Sequence, residues 1–199
     1  MALRILVLTG WLLVAVAGVT IHLSAGPAYE KMDTAAQLIK DAEAAAADND
    51  YVLAVEKYEE ALRALPEGRT AEARKLRLEK AKAQMLAKRL PEAHADLKAL
   101  VDELAADTSA DPKVLAEARS AMANANYYMT WLMRLEGLGT DAWEPEIEAA
   151  RQTYKLLAEQ AEAAGDTVAA KKHKEDLEAA VRLARMDLGE LQGLPLPSQ

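Results

Sequence analysis

From residue 28 to residue 188 apolar side chains return every three or four positions rather than every second one. That period belongs to helices with one buried face. Strong helix formers fill almost every segment, and β-branched alternation is missing outside the first 23 residues. Breakers and caps divide the run. Pro66 with Gly68 closes one helix, Pro91 opens another, and Asp111-Pro112 caps and opens a third. Gly137 with Gly139 ends that one, Pro145 starts the next, and Gly165-Asp166 separates the last two. The pattern predicts seven helices over 28–48, 50–65, 69–88, 91–106, 112–136, 145–164 and 166–188, with short connections except at 137–144.

A register runs through these helices. Tyr51, Ala54, Tyr58 and Ala61 recur 39 residues later as Leu90, Ala93, Leu97 and Leu100. A weaker copy, Ile147, Ala150, Tyr154 and Leu157, follows after a further 57 residues. Small residues on one face let a neighbouring helix come close, and a ring fills the gap beside them. Residues 51–66, YVLAVEKYEEALRALP, place Ala54, Tyr58, Ala61 and Pro66 where the second helix of a tetratricopeptide repeat has its small, aromatic, small and breaking residues. Leu38 and Ala42 sit where its first helix has an apolar and a small one. The chain resembles that family over 35–66 and more loosely to residue 164. The resemblance implies a solenoid of stacked helical hairpins that binds protein, three hairpins and a capping helix here. Departures are the spacing, which in the family is about 34 residues, the long fifth helix, and Ala45 where the family usually has an aromatic. An unrelated antiparallel bundle is the competing architecture.

Upstream lies a different segment. After Met1–Arg4 comes an uncharged run from Ile5 to Leu23, then Ser24-Ala25-Gly26-Pro27. As a helix the run spans roughly 28 Å, enough for a bilayer core. The rival is a cleaved signal peptide, but Pro27 spoils the candidate cleavage bonds and the run is long for a signal. The anchor is the preferred expectation, and residues 1–27 are assigned to it, 28–188 to the helical domain. Arg4 before the run, with Glu30, Lys31 and Asp33 after it, puts the helical domain outside the cytoplasm. In a bacterium with two membranes that is the periplasm. Gly10, Val14 and Gly18 share one face of the segment, where a second membrane helix could pack.

Composition narrows the chemistry. Hydrophobic residues make up 51% of the chain, yet Phe and Cys are absent, so the core must be close-packed helices. No cysteine means no disulfide, thiolate metal site or catalytic thiol. After residue 28 stand 23 basic and 32 acidic residues, a balance of −9, with no basic stripe interleaved with aromatics. Nucleic acid is not an expected partner. His22, His94 and His173 form no metal-ligand spacing. Asp48, Asp50 and Glu59 fall at calcium-loop positions, but Val52 and Leu53 occupy the places of a ligand and the turn glycine. Acids at helix starts, such as Glu144, Glu146 and Glu148, suit the helix dipole. Neither an enzyme, a cofactor nor a metal is expected.

One stretch lacks charge altogether in a chain that is 28% charged: residues 120–133, SAMANANYYMTWLM. At roughly 100° per residue, Ser120, Asn124, Tyr128, Trp131 and Leu135 line one face. Such a helix is either central in the stack or shared with a partner. Asparagine is a poor helix former, and a buried amide needs partners. In the family resembled, asparagines on the first helix of a hairpin often grip the backbone of a bound peptide. That implies Asn124, Asn126, Tyr128 and Trp131 as protein-binding candidates. The tail, 189–199, carries no charge after Glu190, and Leu194-Pro195-Leu196-Pro197 favours an extended strand. Leu194 and Leu196 are docking candidates, against the plain reading of a frayed end. Two functions are expected as alternatives: a membrane-anchored scaffold serving subunits of a larger membrane or periplasmic complex, or a soluble periplasmic chaperone or carrier released by signal cleavage.

Overall fold

A computed structural model describes residues 29–192, and among these residues the protein is all-α. The helices are α1 (29–47), α2 (Tyr51–Ala64), α3 (Thr70–Leu86), α4 (Leu90–Ala106), α5 (Pro112–Leu135), α6 (Thr140–Ala163), α7 (Thr167–Arg185) and α8 (Leu188–Gln192). The expected membrane segment, 5–23, and the tail leucines Leu194 and Leu196 lie outside the described residues. Among the described residues no helix is long and apolar enough to cross a membrane.

Local chemistry explains most helix ends. Asp50, Asp111 and Asp166 each accept a backbone N–H of the following first turn, from Leu53 at 3.1 Å, Lys113 at 2.9 Å and Ala169 at 2.9 Å. Helices α1, α3, α5 and α6 end on a residue of positive φ: Asn49 (62°), Lys88 (63°), Gly137 (77°) and Gly165 (75°). The next N–H in each case reaches back five residues, as Arg89 N does to Gln84 O at 2.8 Å. Lys88 is the unusual member, because an ordinary side chain pays strain in that conformation. Its turn is held by that bond and by Leu90, buried in the core directly after it.

Two boundaries differ from the sequence expectation. Helix α6 begins at Thr140 rather than 145, with Pro145 inside it. Proline forfeits one backbone bond there, while Trp143 in the added turn packs against the core and under the Arg134 guanidinium, 4.7 Å from the ring centroid. Tertiary packing outweighs the break. At the other end α7 stops at its cap Met186, and Asp187 with Glu190 forms a reciprocal box: Glu190 N donates to Asp187 Oδ1 at 2.7 Å, and Asp187 N to Glu190 Oε2 at 2.9 Å. That box starts α8 at the last residue assigned to the helical domain and carries it into the stretch read as tail, where Leu191 is completely buried.

Three apolar clusters make the core, each centred on an even-numbered helix. The first joins Ala42 and Ala45 of α1, Ala54, Val55, Tyr58 and Ala61 of α2, and Leu76 and Ala83 of α3. In the second, Leu90, Leu97, Leu100 and Leu104 of α4 meet residues of α3 and α5. The third joins Ala123 and Trp131 of α5, Ile147, Ala150 and Tyr154 of α6, Ala180 and Leu183 of α7, and Leu191 of α8. Thus α3 and α5 each serve two clusters. They also touch one another, whereas α4 and α6 meet through His94 and Glu146, 3.1 Å apart. Of the twelve register residues, Ala54, Tyr58, Ala61, Leu90, Ala93, Leu97, Leu100, Ile147, Ala150, Tyr154 and Leu157 are buried, and Tyr51 is only half-buried.

Ala54 and Ala93 expose none of their surface, so a longer side chain at either has to displace a neighbour. Ala54→Leu and Ala93→Leu should each cost about 1–3 kcal/mol by overpacking. Exposed Ala44 and Ala47 on α1 serve as controls; Ala45, in the same run, is buried and does not. Urea unfolding of the four variants checks this, and equal tolerance would contradict the packing.

Charge closes the α3–α4 pair. Arg74 donates to Glu103 at 2.8 Å and to Asp107 at 2.6 Å, and Arg77 also reaches Glu103. Bonds from Ser109 and the Arg74 guanidinium draw the Asp107 carboxyl down to about 2. Because the folded value is depressed, the stabilisation is complete above the free carboxylate value, about 3.9, and is lost as pH falls towards 2. Wild type and Asp107→Asn should therefore differ in urea midpoint at neutral pH and converge at the acid end of that window. A gap that persists at the acid end would show that charge is not the cause.

Candidate cleft between alternate helices

Helices α3, α5 and α7 enclose a cleft of about 400 Å³, a volume within the range of ligand sites. Lys82, Met85 and Leu86 come from α3, Glu117, Ser120, Ala121, Asn124 and Tyr128 from α5, and Lys172 from α7. Its position follows from the packing. Helix α5 turns Ala118, Ala121 and Ala125 to the second cluster and Ala123 and Trp131 to the third, which leaves the strip between them uncovered. The absence of charge around α5 is thus accounted for mainly by its central place.

The four candidates on α5 separate. Asn124 and Tyr128 are half-buried and line the cleft. Asn126 and Trp131 are only 4% and 7% exposed, so the structure corrects both to core positions with no face for a partner. Asn126 meets the expectation that a buried amide finds partners: its Oδ1 lies 2.9 Å from His94 Nε2, which also contacts Glu146 at 3.1 Å. This joint ties α4, α5 and α6 together. The fully buried Thr130 satisfies its hydroxyl by donating to Asn126 O one turn back, at 2.8 Å. Asn124 is not simply solvated either. The Tyr154 hydroxyl of α6 donates to its Oδ1 at 2.6 Å.

Tyr128 stacks edge-on against Tyr127, ring centroids 5.4 Å apart at 85°. Burial pushes the hydroxyls of both above the usual tyrosine value, and the nearby Asp176 carboxylate adds to the effect at Tyr128. Asp176 and His173 lie on α7, 3.8 Å apart. Burial raises the first and lowers the second, each towards its neutral form. Lys82 is held by Glu79 at 2.7 Å and lies 3.8 Å from Glu117, whereas Lys172 is exposed. The cleft therefore combines an apolar floor with donors from three helices.

Sequence reasoning missed Lys82 and Lys172, which are 90 residues apart. Nothing local marks them, since each looks like any surface lysine on a charged helix. Compared with known proteins, the chain matches no family model and is significantly similar to no curated sequence.

Proposed function

We propose that this protein is a membrane-anchored scaffold of the tetratricopeptide-repeat type. Its cleft holds an extended segment of a partner protein, and it serves as an accessory subunit of a larger membrane or periplasmic complex. The observation that carries this reading is the composition of the cleft. Three alternate helices, α3, α5 and α7, line it, and Asn124 and Tyr128 of α5 are among the lining residues. Stacked hairpins present their first helices in this way to a bound chain, and an amide beside an aromatic ring suits a backbone and an apolar side chain together. Support for the stack comes from the three clusters, each uniting one second helix with the first helices on either side. The anchor rests on the uncharged run Ile5–Leu23, and the outward orientation on Arg4 before it and the acidic residues after it.

The test places a photoreactive benzoylphenylalanine at Ser120 in the cleft, or at Lys171 on the exposed side of α7, in the full chain within native membranes. Ser120 should yield an adduct of discrete mass, and Lys171 none. The protein should resist carbonate extraction and keep Arg4. Adducts from Lys171 alone would remove the cleft as the docking site. Release by carbonate together with loss of the first residues would replace the anchored scaffold by the soluble carrier.

A further inference from the structure

The polarity of the cleft is set from behind. Tyr154 is 2% exposed and belongs to the third core cluster, with Ile147, Ala150 and Leu183. Burial raises its ionisation far above the usual range, so the oxygen keeps its proton and has it to give. The hydroxyl donates its hydrogen bond to Asn124 Oδ1 at 2.6 Å. A side-chain amide has an acceptor on one branch and two N–H donors on the other. With Oδ1 turned to Tyr154, Nδ2 is the branch left for the cleft. It bonds to none of the described residues and is not among their enclosed unpaired atoms. Lys82 and Lys172 bring further donors to the same cleft, and Glu117, the acid among the described wall residues, lies 3.8 Å from Lys82.

We infer that Tyr154 is a positioning residue that holds Asn124 with its amide N–H groups facing the cleft, so that the site selects hydrogen-bond acceptors, the carbonyl or carboxylate oxygens of a docked segment. This deepens the docking reading above. The polarity is nevertheless a property of the free protein and is measurable without any partner. An isolated hydroxyl or an unfixed amide would accept and donate alike, so the lock is what gives direction to the site.

Two small probes of opposite polarity test it on the ¹⁵N-labelled full chain in detergent micelles. Acetate only accepts and methylammonium only donates, and chloride salts keep the ionic strength equal. Acetate should move the Asn124 Nδ2 cross-peaks and methylammonium should not. In Tyr154→Phe the initial slope of the acetate response should fall roughly threefold to tenfold, the worth of one orienting hydrogen bond. Asn124→Asp keeps the Tyr154 bond but replaces the donors with oxygen. Its Ser120 and Tyr128 backbone amides should answer methylammonium instead.

Equal acetate slopes in wild type and Tyr154→Phe would overturn the inference, as would a methylammonium response at the wild-type amide. Should Tyr154→Phe fail to fold, Asn124→Asp decides, and an acetate response of its Ser120 and Tyr128 backbone amides equal to that of the same amides in wild type defeats the inference. Failure of the docking reading looks different. It leaves the probe responses intact and abolishes the Ser120 adduct.

Discussion

Truncating Trp131 to alanine should cost the folded domain about 3–5 kcal/mol, the range for removing a buried large aromatic. Trp131 joins α5 to the cluster that also holds Ile147, Ala150, Leu183 and Leu191, so the void would open where four helices meet. These neighbours sit on separate rigid helices and relax only partly into the space. Against a total stability of about 5–15 kcal/mol, a loss of that size is a large fraction. Urea unfolding should show a much lower midpoint with an unchanged slope. Tyr128→Ala should be milder, because that side chain is only half-buried and borders the cleft. A loss below about 1 kcal/mol at Trp131 would mean that the ring works on the surface.

Arg134 carries the second large effect. Its guanidinium donates to the carbonyls of Leu183 and Met186, where α7 ends, and lies over the Trp143 ring of α6. The last carbonyls of a helix have no partner within it. Here one side chain from α5 supplies two and fixes the chain that leads into α8. Arg134→Met keeps an apolar stem and removes every donor. It should cost about 2–4 kcal/mol, since hydrogen bonds from a charged donor contribute about 1.5–3 kcal/mol and the two are not independent. Arg134→Lys should recover only part, because an ammonium cannot span both carbonyls or stack as a plane does. Hydrogen exchange supplies the signature: amides of 183–192 should lose protection in Arg134→Met before those of α2 and α4. Uniform loss along the chain would refute this local role.

These two residues also mark the limit of reasoning from sequence. Trp131 lies at helical spacing from Asn124 and Tyr128, and spacing alone groups all three on one face. In the structure α6, α7 and α8 cover the Trp131 end, and the other end borders the cleft. A helical wheel records the angle of a side chain but not what stands opposite it. Arg134 looks like a surface charge near a helix end. Only the arrival of α7 gives it carbonyls to cap.

The sequence by itself determined the all-helical class, the order of the helices and most of their ends. Apolar period, aspartate caps and glycine stops act within a few residues, and each element reads them locally. It also contained the register of small and large residues from Ala54 to Tyr154. The tertiary structure alone decided that α6 runs through Pro145 and that residues 188–192 fold as α8. It alone brought Lys82, Asn124 and Lys172 round one cleft and set Tyr154 behind the amide. Those features depend on contacts between helices, and they gather residues up to 90 positions apart. Such contacts leave no periodicity in a single chain, because their energy arises only when two finished surfaces meet.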